Sequence, residues 1–326
     1  MVTSRLPVPA IDSATLNIEF SHVRLLRRLL TLVVASVAVT LLLARADQSR
    51  SAVRLATTAS PWWLILCLLT ITATYLGSAL VMAGATTVAL PGPATLVVQL
   101  AMAFANRLAP SGIGGMAVSV RYLQRLGASR GQALASVAAN ASAILVIHVI
   151  GFIALLPLTG GLPRGITPPD GSRLLLGVGG ALVLLGVVLA ALKLGRQDRH
   201  TLGEVLGNFR MVFVQSRHRK ALLVGASVVT TSHCLTLWSV VRSVGATAPF
   251  IACVVIYLAA AAIGSLSPTP GGIGAIEAAL LTGLTATSIE AGNAAAAVLL
   301  YHLLTFWCPV IPGAIAFAQL RREAML

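Results

Sequence analysis

The sequence predicts an all-α integral membrane protein in which six crossing helices surround two opposed re-entrant helical hairpins, arranged as an inverted repeat. Three observations carry that reading. Of 326 residues, 57% are hydrophobic and 10% charged, with a mean hydropathy of +0.91, a balance suited to a chain whose surface faces lipid. The apolar residues come in blocks close to the roughly 20 residues that an α-helix needs to cross a bilayer. Two Pro/Gly-rich motifs, Arg107-Leu-Ala-Pro-Ser-Gly-Ile-Gly-Gly115 and Ser265-Leu-Ser-Pro-Thr-Pro-Gly-Gly-Ile-Gly274, interrupt strongly apolar sequence. Broken backbone at membrane depth survives only where protein covers it or where it lines a watery cavity.

Taken in order, residues 1–28 form a cytoplasmic tail and 29–326 a single membrane domain. Arg24, Arg27 and Arg28 precede the first apolar run, read as a retained helix over about 29–46 rather than a cleaved signal. A second helix over 61–84 opens on Trp62 and Trp63, an interface belt. The segment 94–129 holds the first broken motif between two apolar arms. The helix over 131–158 carries Ala135, Ala139 and Ala143, a spacing for close helix packing. A fourth helix spans 172–194. A basic cytoplasmic loop, 195–219, follows; within it 201–216 reads either as an interfacial helix with Phe209, Val212 and Phe213 toward lipid or as a plain linker. Helices over 220–244 and 291–318 flank the second broken segment, 250–288.

The positive-inside rule decides between crossing and returning for the two broken segments. If both return, sixteen of the 23 Lys and Arg residues face the cytoplasm, six face outward, and Arg107 lies inside the first hairpin. If each crossed once, the basic loop would face outward while the N-terminus stayed in. The hairpins are therefore read as re-entrant, with both termini cytoplasmic in a multi-pass plasma or inner membrane protein. Gly84-Ala85-Thr86 stands ahead of the first hairpin and Gly245-Ala246-Thr247 ahead of the second, and Pro110 and Pro268 follow them at nearly the same separation. That match suggests a repeat, about 61–158 and 220–318, of opposite orientation in the membrane.

The net charge of +14 sits in the flanks of apolar blocks, so anionic headgroups explain it and nucleic acid is not expected. Cys67, Cys234, Cys253 and Cys308 fall singly in apolar stretches and read as small core residues, without metal spacing. No Walker-type Gly-x-x-x-x-Gly-Lys or His-Glu-x-x-His occurs, so neither an ATP-driven pump nor a zinc protease is expected. No cofactor, metal or enzymatic activity is predicted.

Charge at membrane depth is the chief clue to function, because burying it costs about 2.5–3.5 kcal/mol even on insertion scales. Arg107, beside Asn106 at the first break, suits bidentate capture of a phosphate, ahead of the alternatives of a snorkelling side chain or a cap on hairpin carbonyls. Glu277 opens the second arm of the second hairpin, where it caps the helix or pairs with Arg107. Gly112, Gly114 and Gly115, and Gly271, Gly272 and Gly274, either present N–H groups to an anion or simply permit tight turns. Pro110, Pro268 and Pro270 enforce the breaks. His148, His233 and His302 lie in apolar spans, as proton carriers or as interhelical hydrogen-bonding groups; Asn140 and Gln99 share that ambiguity.

Ser-Pro-Thr-Pro-Gly-Gly-Ile-Gly-Ala-Ile-Glu277, together with Asn106-Arg-Leu-Ala-Pro-Ser-Gly-Ile-Gly-Gly115 and then Arg121, resembles the lysylphosphatidylglycerol synthase transmembrane-domain family of flippase-like proteins, over about residues 20–320. The resemblance implies a lipid flippase that moves an anionic phospholipid or a polyprenyl-phosphate-linked lipid between leaflets; Arg121, which matches the family motif, either attracts headgroups or serves as a positive-inside anchor. The family's soluble aminoacyltransferase is not expected here, so its synthase activity is not carried over. The competing expectation is a non-transporting membrane scaffold or lipid-binding subunit of a cell-envelope biosynthetic enzyme. An envelope-biosynthesis enzyme or a second copy of the chain is a further possible partner.

Overall fold

The structure is a computed structural model that describes residues 58–109, 112–159, 199–267, 269 and 271–326. The expected helices over 29–46 and 172–194 lie outside the described residues, as do the cytoplasmic tail, Pro110, Pro268 and Pro270. The described chain is helical throughout: α1 (Pro61–Ala85), α2 (Gly92–Leu108), α3 (Ile113–Arg125), α4 (Arg130–Leu155, continued by a 3-10 turn to Thr159), α5 (Arg199–Val214), α6 (Ser216–Ser243), α7 (Phe250–Leu266), α8 (Ala275–Ala286), α9 (Ala291–His302) and α10 (Val310–Arg322). Among the described residues four stretches are long and apolar enough to cross a bilayer, 61–85, 130–159, 216–243 and 291–322. Each falls on an expected crossing helix. The order long helix, two short helices around a Pro/Gly break, long helix therefore occurs twice.

Local chemistry sets the ends. Pro61 and Pro93 occupy first-turn positions of α1 and α2, where a missing N–H is harmless and a fixed φ favours the helix. Ser129 and Gln132 form a reciprocal capping box at the start of α4, satisfying two otherwise unpaired donors. The last long stretch is not one regular helix. After His302 it widens into a single π turn, Leu303–Trp307, closed by the Cys308 N–H donating to the Leu303 carbonyl at 2.9 Å, and it resumes as α10 behind Pro309.

The centre of the fold is the contact of α1 with α6, the opening helices of the two halves. Small residues bring their backbones together. A Cβ on Gly84 would stand 2.3 Å from the Leu222 amide nitrogen, and one on Gly225 would stand 2.6 Å from that of Val81. Neither position tolerates a side chain, the small-residue packing by which helices approach in lipid. Thr70 and Thr236 hydrogen-bond across this seam at 2.7 Å. Ala135, Ala139 and Ala143 are buried on α4 as expected. A second seam holds α10 on α2, where a Cβ on Gly313 would meet the Leu100 carbonyl at 2.7 Å, and Phe104 packs on Phe317.

Two surface expectations, for Val212 and Cys308, need correction. Val212 of α5 is fully buried, in a cluster with Val81, Ala139 and Leu222, so α5 turns that residue to protein rather than lipid; Asn208 secures it by donating to the Gln132 carbonyl. Trp62 is 80% exposed, and Trp63, half-buried, lies edge-on to Trp238 and under the Arg242 guanidinium. Cys67, Cys234 and Cys253 are buried, whereas Cys308 is exposed.

Candidate functional site

The two broken segments reach the same stretch of chain, His302 to Trp307. Arg107, in the last turn of α2, approaches it from the first. Its Nε donates to the Phe306 carbonyl at 2.6 Å and its Nη2 to the Thr305 carbonyl at 3.0 Å. Nη1 donates to Ala103 on its own helix, and the guanidinium lies 4.7 Å from the centre of the Phe306 ring. Tyr75 of α1 stands beside the same group.

Proline explains why those carbonyls are available. In a continuous α-helix the Thr305 carbonyl would accept from residue 309, but Pro309 has no N–H. The π turn and this missing donor leave backbone acceptors facing α2, and a fork of guanidinium donors fits them. The Thr305 hydroxyl bonds back to the Tyr301 carbonyl at 2.7 Å, a contact that bends helices.

Asn106 and the glycines close the first break. The Asn106 Oδ1 accepts from the Gly115 N–H at 2.6 Å. A Cβ on Gly114 would come within 2.0 Å of the Ala105 carbonyl oxygen, so α3 can fold back onto the end of α2 only with glycine there. Gly112 holds φ at +71°, where glycine alone carries no steric cost. Of the two roles open to these glycines, turn geometry accounts for Gly112 and Gly114, and the Gly115 donor is already taken.

The second broken segment arrives through Gly271 and Glu277. Gly271 has φ +64°, and a Cβ there would stand 2.4 Å from the Phe306 ring. Gly272, at φ +73°, lies against Gly264 and Ile276. Thr269 braces the turn, its hydroxyl donating to the Ile273 carbonyl at 2.9 Å. Glu277, in the first turn of α8, accepts the Gly274 N–H at 2.6 Å through Oε2, and its Oε1 faces His302 Nδ1. His302 in turn stacks on Phe306 with ring centroids 4.7 Å apart.

Glu277 thus takes the capping role, and the alternative of an Arg107–Glu277 pair is not what forms. Glu277, His302, Phe306 and Arg107 make a continuous line of contacts in which the charged ends never meet. Arg121 lies apart, exposed on α3 about two and a half turns beyond Gly112. Sequence reasoning missed the π turn, Phe306 and Tyr75, and treated His302 only as one histidine among three. The available signal was Pro309 and Pro312 inside the apolar block 291–318.

The arrangement offers one half-buried cation held by neutral carbonyls, one carboxylate held by an amide and an imidazole, and backbone turns from both halves around them. A guanidinium fork of this kind has the donors to receive an anionic group. The chain matches the family model described as the lysylphosphatidylglycerol synthase TM region over residues 28–313, a stretch that contains both broken motifs. It belongs to that family, as the motifs implied. It is accordingly a multi-pass membrane protein tied to lipid or cell-envelope biosynthesis. A search of curated proteins returned no match.

Proposed function

We propose that this member of the lysylphosphatidylglycerol synthase transmembrane family moves an anionic lipid between leaflets and catalyses no reaction on it. The two broken segments are re-entrant hairpins from opposite sides of the membrane, with six crossing helices around them and both termini in the cytoplasm. The headgroup passes between the hairpins while its acyl or prenyl chains stay in lipid. The cargo is a phosphate-bearing amphiphile, an anionic phospholipid or a polyprenyl-phosphate-linked lipid.

The observation that carries this reading is the state of Arg107. Its guanidinium is bonded to carbonyls that carry no formal charge, and a phosphate is the stronger partner for such a fork. Exchange of carbonyl for phosphate gains a charged partner and gives up two carbonyl contacts, opposing terms that make it reversible, as a transport site requires. It also frees the Thr305 and Phe306 carbonyls on the turn that the second hairpin touches, so occupancy of one hairpin is felt by the other.

Mass spectrometry of lipids co-purifying with the protein from native membranes tests this, comparing wild type with Arg107→Ala. Enrichment of one anionic or prenyl-phosphate lipid in wild type, lost in the variant, is the expected result. Identical bulk lipid in both would overturn it and favour a scaffold for an envelope enzyme instead.

A further inference from the structure

Four polar rings that the lipid site does not use meet in the interior of the helix bundle. They come from four helices: His148 of α4, His233 of α6, Tyr257 of α7 and Tyr301 of α9. His233 stacks on Tyr257 with centroids 5.4 Å apart and 10° between planes. His148 stands edge-on to the same ring at 5.9 Å. His233 Nδ1 hydrogen-bonds the Tyr301 hydroxyl at 3.1 Å, whereas the buried His148 Nε2 has no hydrogen-bond partner. Leaving such an atom unpaired is costly, and ionisable residues inside a helical membrane domain mark ion or proton pathways by default.

We propose that His148 and His233, both held against Tyr257, are a binding site for a single transported proton, and that this site drives the lipid movement. The inference rests on the lipid reading for its cargo but not for its proton. The proton adds to the imidazole lone pair of either residue, and the cation formed lies within about 6 Å of the Tyr257 ring, the range of a cation–π contact. Repulsion between two imidazolium rings around one phenol disfavours a second proton, so the pair takes one.

Coupling runs through Tyr301. While His233 is neutral, its Nδ1 can accept from the Tyr301 hydroxyl; once protonated it can only donate, and the hydroxyl must turn its own proton elsewhere. Tyr301 directly precedes His302, which faces Glu277, and the π turn that holds Arg107 begins one residue later. A change of donor at His233 is therefore delivered to the stretch where both broken segments meet.

Other titratable groups on the packed helices are placed as follows. Cys234 on α6 and Cys253 on α7 are buried thiols of the same interior, and Cys234 packs in a cluster with Tyr257. From α1, Cys67 donates to the Thr236 carbonyl, and Tyr75 lies beside Arg107. From α3, Tyr122 hydrogen-bonds Thr95, and from α8, Glu277 faces His302. None of these contacts supplies His148 or His233 with a carboxylate that would hold it permanently charged.

The test uses full-length protein in phosphatidylcholine vesicles containing fluorescent phosphatidylglycerol, with dithionite reporting flipping and a trapped pH dye reporting protons. In wild type an imposed pH gradient should change the flipping rate by a factor of about five or more, the lower end of ordinary coupling between sites. In His148→Gln and His233→Gln that response should disappear. A wild-type rate indifferent to the gradient overturns the coupling while leaving the lipid reading intact, and so does a full response in both variants. If wild type flips no probe, phosphatidylglycerol is excluded as cargo, and the proton arm still decides. Detergent-solubilised wild type taking up more protons than the double variant on acidification upholds the site, and equal uptake removes it.

Discussion

Arg107 supplies the hydrogen bond that Pro309 withholds: the Thr305 carbonyl, left without a helical donor by the proline, accepts from the Arg107 Nη2 at 3.0 Å. The two residues lie in opposite halves of the chain and act on one oxygen. That relationship separates what Arg107 does for the fold from what it does for a ligand.

Replacing Arg107 with alanine should destabilise the protein by about 1 kcal/mol, toward the lower end of the cost of an unsatisfied acceptor because these carbonyls are half-buried. Adding Pro309→Ala restores a backbone N–H at residue 309 and should recover much of that loss, but not lipid co-purification. Thermal unfolding in detergent and lipid mass spectrometry on the same samples read the two effects independently. Full recovery of bound lipid in the double variant would mean that Arg107 is only a cap.

Charge reversal gives a second test. Arg107 bonds the Thr305 and Phe306 carbonyls while Glu277 bonds Gly274 and faces His302, so Arg107→Glu combined with Glu277→Arg has no ion pair to rebuild. Flipping in the double variant should be no better than in the worse single variant, and rescue would show that the two side chains meet at some stage of the cycle.

Gly271→Ala should be more damaging than an ordinary glycine substitution. Its φ of +64° and the 2.4 Å approach of Phe306 combine backbone strain of about 1–3 kcal/mol with steric overlap. Gly271→Ala with Phe306→Leu relieves the overlap alone, so the double variant should melt between the single variant and wild type. Equal melting of all three would place Phe306 away from the turn.

The α1–α6 seam makes a stability prediction with an internal control. Gly84→Ala drives a methyl to 2.3 Å from the Leu222 backbone, which only separation of the helices relieves, and should lower the thermal midpoint by several degrees. Gly203→Ala on α5 meets nothing within 4 Å and should be neutral or stabilising by about 0.5–1 kcal/mol through helix propensity. The same measurement on both variants checks the contrast.

Sequence by itself determined the features that depend on a residue and its near neighbours. Apolar length placed the described long helices, and Pro and Gly placed both breaks, because hydrocarbon thickness and backbone sterics act locally. It also marked Arg107 and Glu277 as the charges that matter, since few others lie at that depth. It left open whether Glu277 caps or pairs, whether glycine donates or turns, and whether 201–216 is an interfacial helix with Val212 toward lipid or a plain linker.

Tertiary structure decided the partners. That Arg107 answers Thr305 and Phe306 almost 200 residues away, that Gly271 seats the Phe306 ring, and that Gly84 and Gly225 set the central seam all depend on which helices are neighbours. A glycine reads the same in sequence whether it bends a turn or admits a backbone, and a carbonyl has no side chain to announce it. Only packing, which brings one half's missing donor opposite the other half's surplus of donors, distinguishes them.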